Sequence, residues 1–269
     1  MAAKRYVPAL VLLLLVGAAC SRGGSGKQIV VAGSTSIQPF ADRLAEIYMK
    51  EHSGRAVDVQ GGGSSAGIQA AKSGAADIGM SSRELKPDEK DLTEIVIARD
   101  GLAIIVHPSL PLRGLTLQEV KSIFAGEIRN WKGLTGQDKE IDVVTREEGS
   151  GTRGAFKELV MGKNTRITRS AIVEDSNGTV REIVASDPFS IGYISLGLVS
   201  DRVKALDLDG IKASEENILS KDYKLVRPFL FLTKGPASGP VQDFIDFVLS
   251  PEGQGLIKKE GLITATEGR

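Results

Sequence analysis

The chain has 269 residues, with 34 lysines and arginines against 34 aspartates and glutamates, so its formal net charge is zero. Hydrophobic residues make up 41% and charged residues 25%, values typical of a soluble globular protein. This even balance excludes a nucleic-acid-binding protein that works by bulk charge, and it argues against a disordered chain. With one cysteine and two histidines, an intrachain disulfide is impossible and a Cys/His zinc site is close to excluded.

The first twenty residues have the pattern of a secretory signal. Lys4 and Arg5 precede an apolar run over residues 7–16, and small residues at 17–19 precede Cys20. The apolar run is too short for a transmembrane helix. The pattern predicts a signal peptide over residues 1–19 and, as in bacterial lipoproteins, a lipid-modified Cys20 at the start of the mature chain. The alternative is plain secretion with an incidental cysteine.

A lipid-modified Cys20 would carry more than one acyl chain, which is enough for stable attachment to a membrane. Residues 20–27 are rich in glycine and serine and are predicted to form a flexible tether. No later apolar run in the sequence is long enough to span a bilayer.

The rest of the chain alternates short apolar stretches with helical patterns, which predicts an α/β fold. Strands are predicted over residues 28–32, 57–60, 77–80, 95–98, 102–106, 141–145, 191–194 and 225–232. Helices are predicted from residue 37, over residues 65–73, after a capping box at Thr116 and Glu119, and over residues 151–161. A final helix is predicted to begin at Pro240 and to stop at Pro251.

One local pattern recurs: a strand ends in glycine plus serine or threonine, and a helix follows at once. It occurs at residues 33–36 (GSTS), 63–67 (GSSAG) and 149–152 (GSGT), and more weakly at residues 176–179 (SNGT). The first N–H groups of a helix have no partner within it, and the helix dipole adds positive charge there. An ordinary N-cap explains any single motif. Several motifs at strand ends predict an anion site, because ligands of open α/β sheets bind at the carboxyl ends of strands.

Arg146 is the charged residue of this pattern, at the end of a predicted strand and four residues before Ser150. A guanidinium group can bridge two anion oxygens and stays charged at any working pH. Arg146 is therefore the candidate cation of the site. The alternative is a surface salt bridge from Arg146 to Glu147 or Glu148.

Six segments taken in order resemble the phosphate-binding proteins of bacterial Pst ABC transporters. Besides the lipoprotein-like signal and residues 33–36, they are residues 60–67 (QGGGSSAG), 77–85 (DIGMSSREL), 115–131 (LTLQEVKSIFAGEIRNW) and 145–153 (TREEGSGTR). The resemblance extends from about residue 28 to the C-terminus. It implies a two-lobed periplasmic-binding-protein fold of type II, in which each lobe is a mixed sheet flanked by helices and two strands form the hinge.

The implied lobes are discontinuous in sequence. Lobe one would comprise residues 28–106 and 225–269, and lobe two residues 107–224. Phosphate would be held, dehydrated, between the lobes, and hinge closure would present the closed form to a membrane ABC permease. The resemblance implies an extracytoplasmic, monomeric binding protein without catalytic residues, cofactor, metal or nucleic-acid partner.

Carried over by position, the resemblance implies that phosphate is bound by Thr35, Ser36, Ser64, Ser82, Arg146, Ser150, Gly151, Thr152 and Asn177. One position departs from the family pattern, since well-known members have an aspartate where this chain has Ser82. That aspartate accepts a proton from phosphate and so rejects sulfate, which makes phosphate-over-sulfate selectivity less secure here. Arg83 would either enter the cleft or lie on the surface. Glu147 and Glu148 are alternative acceptors for the ligand proton.

Four other functions are compatible with parts of the sequence. Gly61, Gly63 and Ala66 match a dinucleotide fingerprint, but the expected acidic residue does not end the next strand. His52 and His107 have no placed carboxylate partner, which argues against a Ser-His-Asp triad. A weak phosphatase on the same fold would lack an activating base or metal. Binding of another oxyanion, such as sulfate, molybdate or tungstate, stays open.

Overall fold

The computed structural model describes residues 28–267, and the predicted signal peptide and Cys20 lie outside these residues. Among the residues described, no helix is long and apolar enough to cross a membrane. Strands are β1 Ile29–Gly33, β2 Val57–Gln60, β3 Ile78–Ser81, β4 Thr93–Val106, β5 Gly114–Leu115, β6 Asp142–Arg146, β7 Ile172–Glu174, β8 Ser190–Ser195, β9 Lys204–Ala205, β10 Asp207–Leu208, β11 Val226–Thr233 and β12 Ile263–Thr264. Helices are α1 Gln38–Glu51, α2 Ser64–Ser73, α3 Leu117–Ala125, α4 Lys132–Thr135, α5 Gly151–Phe156, α6 Asn177–Ser186, α7 Glu215–Leu219, α8 Gly239–Leu249 and α9 Pro251–Lys259.

The predicted capping box forms at the start of α3. The Thr116 side chain accepts from the Glu119 N–H, and the Glu119 side chain accepts from the Thr116 N–H. The helix then buries Val120, Ile123 and Phe124, which recur at helical spacing. Local sequence alone therefore predicts where this helix begins and which face it buries.

The main sheet runs in the order β2-β1-β3-β11-β4-β8-β6-β7. Strands β1, β2 and β3 are parallel, as are β6, β7 and β8, whereas β11 and β4 are antiparallel to their neighbours. Each parallel group ends in loops that lead into helices, as expected of βα units. The result is a two-lobed mixed α/β fold, with one parallel group in each lobe.

Strand β4 belongs to both halves of the sheet. Between Thr93 and Gly101 it pairs with β11, with one irregularity, and the pairing with β8 begins at Leu102. The prediction of two separate strands, over residues 95–98 and 102–106, was wrong, because the strand continues through the residues between them. Arg99 and Asp100 are instead paired with β11, and Asp100 is buried.

Two large apolar cores lie on either side of this change of partner. One contains Val31 of β1, Phe40 of α1 and Phe229 of β11. The other contains Phe124 and Trp131, with Trp131 fully buried and its indole N–H donating to the Phe189 carbonyl over 2.8 Å. Each half therefore has the buried apolar core that a separate lobe needs.

The helix predicted from Pro240 is α8, and it ends at Leu249, just before Pro251 as expected, but it is not the final helix. Pro251 is the first residue of α9, where a missing N–H costs nothing. Ser250 caps that helix by accepting from the Gly253 N–H. The helix predicted over residues 151–161 is α-helical only to Phe156 and continues as a π-helical turn over Lys157–Met161.

Candidate functional site

The four predicted glycine- and serine-rich helix starts meet in the space between the two halves of the sheet. Ser36 Oγ, just before α1, lies 2.7 Å from Thr152 Oγ1 in the first turn of α5. Asn177, the first residue of α6, donates from Nδ2 to Ser36 Oγ over 2.9 Å. The N–H of Ser65, in α2, donates to the Gly149 carbonyl over 3.0 Å. The free ends of four helices therefore point into one small volume.

Gly151 shows how closely the two halves approach. A Cβ atom on Gly151 would lie 2.1 Å from Ser64 Oγ and 2.6 Å from Ser82 Oγ, distances that no real side chain tolerates. Only glycine allows the start of α5 to come this close to the two serines. The structure thus juxtaposes the backbone of α5 with hydroxyls of α2 and of the loop after β3.

All nine residues that the sequence singled out lie in or next to this volume. Thr35 is half-buried and contacts Arg146, whereas the other eight residues are buried. Ser150 caps α5 by accepting from the Arg153 N–H. The Ser150 N–H donates to the Glu147 carbonyl over 3.1 Å, so the free N–H groups of this helix start are those of the residues that follow Ser150. The volume therefore combines a high density of donors with exclusion of water.

Arg146 lies at the end of β6 and is only 1% exposed. Its Nη2 donates to Thr35 Oγ1 over 3.1 Å and to the Asp175 carbonyl over 2.8 Å. Its Nε and Nη2 also hold the Glu147 carboxylate, at 2.9 and 3.0 Å. The predicted pair with Glu147 exists, but the guanidinium is buried rather than on the surface.

The remaining nitrogen of Arg146 is the sharpest sign of a ligand. Its Nη1 is buried and has no hydrogen-bond partner among residues 28–267. A buried, unpaired donor costs roughly 1–3 kcal/mol, and more when it is charged. An anion in the donor-lined volume would remove this cost.

Arg227 and Asp100 form a second charged group that the sequence reasoning missed. They face each other across the antiparallel pair of β11 and β4, and Arg227 Nε and Nη2 donate to Asp100 Oδ2 over 3.0 and 2.8 Å. Arg227 also reaches the site, with Nη2 3.1 Å from Ser36 Oγ. The available signal was Arg227, the one charged residue of a strand that is otherwise almost entirely apolar, since a lone charge in a buried strand needs a partner.

Burial acts against both charges of this pair. It raises the pKa of the Asp100 carboxyl, while Arg227 and the Ser195 hydroxyl counter the rise. Burial likewise lowers the pKa of Arg227, and Asp100 counters that change. Since each residue compensates the other, we describe the pair as ionised. Removing one partner would leave an uncompensated buried charge.

Arg83 is not on the surface but lies between the two halves of the sheet: its Nη2 is 3.5 Å from Ser65 Oγ in α2, and its Cδ would be 2.9 Å from a Cβ on Gly154 in α5. It is buried and donates from Nη1 and Nη2 to the Glu89 carboxylate over 2.7 and 2.9 Å. The hydrogen bonds from Arg83 lower the pKa of Glu89 to about 2. Glu148 is paired with Arg153 instead of with a residue of the site. Arg83 and Glu148 therefore brace the loops beside the site.

The residues of the site suit binding better than bond-making. His107 contacts Ser109, and His52 stacks on Tyr48 at the end of α1, so both histidines are engaged elsewhere. Within the part of the chain that the structure describes, no group of three His, Cys, Asp or Glu residues is placed to hold a metal ion. What the arrangement offers is hydroxyl, amide and guanidinium donors around a small anion.

This fold and this site define a class. The chain matches the PBP superfamily domain over residues 20–252. The phosphate-binding protein PstS of Bacillus subtilis is 33% identical over 285 aligned positions, which cover 96% of this chain and 94% of that protein. The PstS protein of Borreliella burgdorferi is 30% identical and covers 91% of this chain and 92% of its own length. The chain belongs to the family of PstS phosphate-binding proteins.

Solved structures agree with this assignment. A protein from Clostridium perfringens, described as the substrate-binding protein of a phosphate ABC transporter with bound phosphate, is 42% identical. Its TM-score is 0.86, with 89% of this chain and 100% of that chain covered. An ABC-type phosphate transport receptor from Vibrio cholerae has a TM-score of 0.74 and 38% identity, with 88% and 100% covered.

Proposed function

We propose that this protein captures inorganic phosphate between its two lobes outside the cytoplasm and delivers it to an ABC permease for import. The observation that carries the proposal is the unpaired Nη1 of buried Arg146, whose guanidinium contacts Thr35 beside the grouped helix starts. A small tetrahedral anion matches the positive charge and the donors gathered here. The names of the relatives and of the similar structures support phosphate as that anion.

Phosphate would be bound without its water shell. Arg146 would supply the charge, and the site residues named from the sequence would supply hydroxyl and backbone donors: Thr35, Ser36, Ser64, Ser82, Ser150, Gly151, Thr152 and Asn177. Charge-assisted hydrogen bonds of this kind are about twice as strong as neutral ones. Many of them together offset the cost of dehydrating the anion.

The two lobes would be residues 28–106 with 225–269, and residues 107–224. They would close about the two strands β4 and β11, which connect the halves of the sheet. The closed form is what the permease would recognise, by the hinge motion common to such binding proteins. Lipid attachment at Cys20 and a monomeric state complete the proposal, and no catalytic step is part of it.

Binding of a different oxyanion is the second candidate function. Ser82 favours it, because this hydroxyl stands where a carboxylate would select the protonated oxygen of phosphate. Calorimetry on the purified protein, freed of bound phosphate, would measure phosphate, sulfate, molybdate and a nucleotide. Tight binding of phosphate, with no hydrolysis product formed, supports the proposal of phosphate transport. Tight binding of molybdate alone would overturn this proposal.

A further inference from the structure

A cavity of about 240 Å³ lies at the point where β4 passes from one half of the sheet to the other. Arg99 of β4 lines this cavity, whereas the next residue, Asp100, holds Arg227 beside Ser36. Successive side chains of a strand point to opposite faces of the sheet. The cavity, named here the Arg99 cavity, is therefore on the face of β4 that turns away from the donor-lined volume.

Arg99 has a donor without a partner. Its Nε is buried and forms no hydrogen bond within residues 28–267. The residue as a whole is only half-buried, and it borders the cavity. A buried donor that is left unpaired destabilises a protein, and the cost is larger when the group is charged. An anion in the cavity would supply the missing acceptor.

Two lysines add to the positive charge of the Arg99 cavity. Lys221 and Lys224, in the segment between α7 and β11, both line it, and both are exposed. Lys221 has a φ of 64°, in the left-handed region that favours glycine, so a lysine is here at a conformational cost. Lys224 Nζ donates to the Lys221 carbonyl, which keeps the two lysines on the same side of the segment.

Two acidic residues nearby in sequence contact other groups. The Asp222 carboxylate accepts from Ser220 Oγ over 2.7 Å, and Glu215 lies 3.6 Å from Lys258 Nζ. In the part of the chain that the structure describes, no aspartate or glutamate lines the cavity. Its lining therefore carries three positive charges and no negative one.

The rest of the lining is apolar. It consists of Ile218, Leu219, Val226 and Ile263 and of the ring of Tyr223, whose hydroxyl donates to the Leu102 carbonyl over 2.8 Å. An inorganic anion would leave these walls without contact, whereas an organic anion would pack its apolar part against them. A volume of about 240 Å³ is below the roughly 300–1,000 Å³ of pockets for drug-sized molecules, so the ligand must be small.

We propose that the Arg99 cavity binds a small organic carboxylate, with the carboxylate at Arg99 and a short apolar chain against Ile218 and Val226. A planar guanidinium matches the two oxygens of a carboxylate, and Lys221 and Lys224 add attraction at longer range. The site goes beyond the capture of phosphate and does not depend on it. Its occupant would contact both β4 and the segment that leads into β11, the two strands that join the halves of the sheet.

Two-dimensional amide NMR on the full chain, saturated with inorganic phosphate, tests this site with hexanoate. Hexanoate should shift the amide signals of residues 99 and 218–226 with a Kd of about 1 mM or below, and should leave those of residues 146–152 unchanged. Hexanol has a chain of the same length without the charge and should bind at least about tenfold more weakly. Additional inorganic phosphate should not shift the signals of residues 99 and 218–226.

Arg99→Met tests the role of the guanidinium. Methionine keeps much of the apolar stem and removes the charge, so the affinity for hexanoate should fall by at least about tenfold. The midpoint of thermal unfolding should stay equal or rise, because the unpaired buried donor is removed with the charge. Arg169→Met, at an exposed position, is the matched control and should change neither quantity.

Lys221→Gly is the second variant, because glycine suits a φ of 64° and removes one cation from the lining. It should not lower the midpoint of thermal unfolding, and it should weaken hexanoate binding by about threefold or more. This variant decides the question if Arg99→Met does not fold.

Four outcomes would overturn the proposal. Hexanoate that shifts none of these signals at about 10 mM would show that the cavity binds no carboxylate. Hexanol that binds as tightly as hexanoate would leave only an apolar crevice, and wild-type affinity in Arg99→Met would remove the guanidinium from the site. Additional phosphate that shifts the same signals would assign the three cations to an inorganic anion. None of these results bears on the binding of phosphate beside Arg146, so the two proposals fail separately.

Discussion

Asn177 donates to Ser36 across the space between the two lobes, over 2.9 Å and 141 residues of sequence. Asn177 is the first residue of α6, and its own orientation is set by the Ser195 N–H. An amide at the start of one helix is thereby hydrogen-bonded to a hydroxyl at the start of another. This contact forms only when the two helix starts face each other across the site.

Asn177→Asp should weaken phosphate binding strongly. A carboxylate cannot donate to Ser36, and its charge would repel the anion beside it. The hydrogen bond that Asn177 would donate to the charged anion is also lost. Loss of such a bond costs about 1.5–3 kcal/mol, which corresponds to a Kd raised by about 10- to 100-fold or more. Calorimetry measures it, with Asn164→Asp, at an exposed position, as the control that adds the same charge. Equal affinities in the two variants would contradict the assignment.

Arg146→Ala should abolish most of the affinity. The guanidinium is buried with one free nitrogen, so its removal takes away the charge nearest the anion and leaves Glu147 without its partner. We expect a loss of at least about 100-fold in Kd for phosphate. Arg113→Ala is the matched control, because the Arg113 side chain is 95% exposed. Near wild-type affinity of the Arg146 variant would show that the anion does not bind beside this residue.

Gly151→Ala should prevent the closed arrangement. The added Cβ would lie 2.1 Å from Ser64 Oγ, so α5 could not approach α2. We expect phosphate affinity to fall by at least about 100-fold, while each lobe keeps its own core and the circular dichroism spectrum is unchanged. Small-angle scattering with and without phosphate would report the closure directly. Gly133→Ala is the control, since nothing lies within 4 Å of a Cβ there.

The buried Arg83–Glu89 pair should make the free energy of unfolding depend on pH in the acidic range. The pKa of Glu89 is lowered to about 2, chiefly by hydrogen bonds from Arg83, so the folded state binds its proton less readily than the unfolded state. The stabilisation is fully present above the ordinary glutamate pKa and is lost as the pH falls towards about 2. Urea denaturation across this range should show the free energy of unfolding falling by up to about 3 kcal/mol from this group.

Glu89→Gln separates this effect from general acid sensitivity. Glutamine keeps the shape of the side chain but has no carboxyl proton to take up. The variant should be less stable than the wild type at neutral pH, and the difference should shrink as the pH falls. A constant difference across the range would mean that Glu89 does not titrate as described.

Features that depend only on neighbouring residues could be predicted from the sequence. The helix start at residues 149–152 and the capping box at Thr116 follow from spacing alone, and both form as expected. The common location of the four helix starts was predicted because carboxyl ends of parallel strands share one edge. Local chemistry thus led to the site.

Features that depend on pairing across the chain were missed. Asp100 and Arg227 are 127 residues apart, and only the antiparallel register of β4 and β11 makes them neighbours. The prediction of two strands, over residues 95–98 and 102–106, left Asp100 outside any strand. The partner of Arg83 was missed for a local reason, because Glu89, six residues further on, is in a single 3-10 turn over Pro87–Glu89 that its spacing does not specify.

Asp100 stands two residues before Leu102, where β4 exchanges β11 for β8. The carboxylate that holds Arg227 is thus located where β4 passes from one half of the sheet to the other. Because Arg227 also donates to Ser36, one buried ion pair connects a residue of the candidate site to the strand that both halves share.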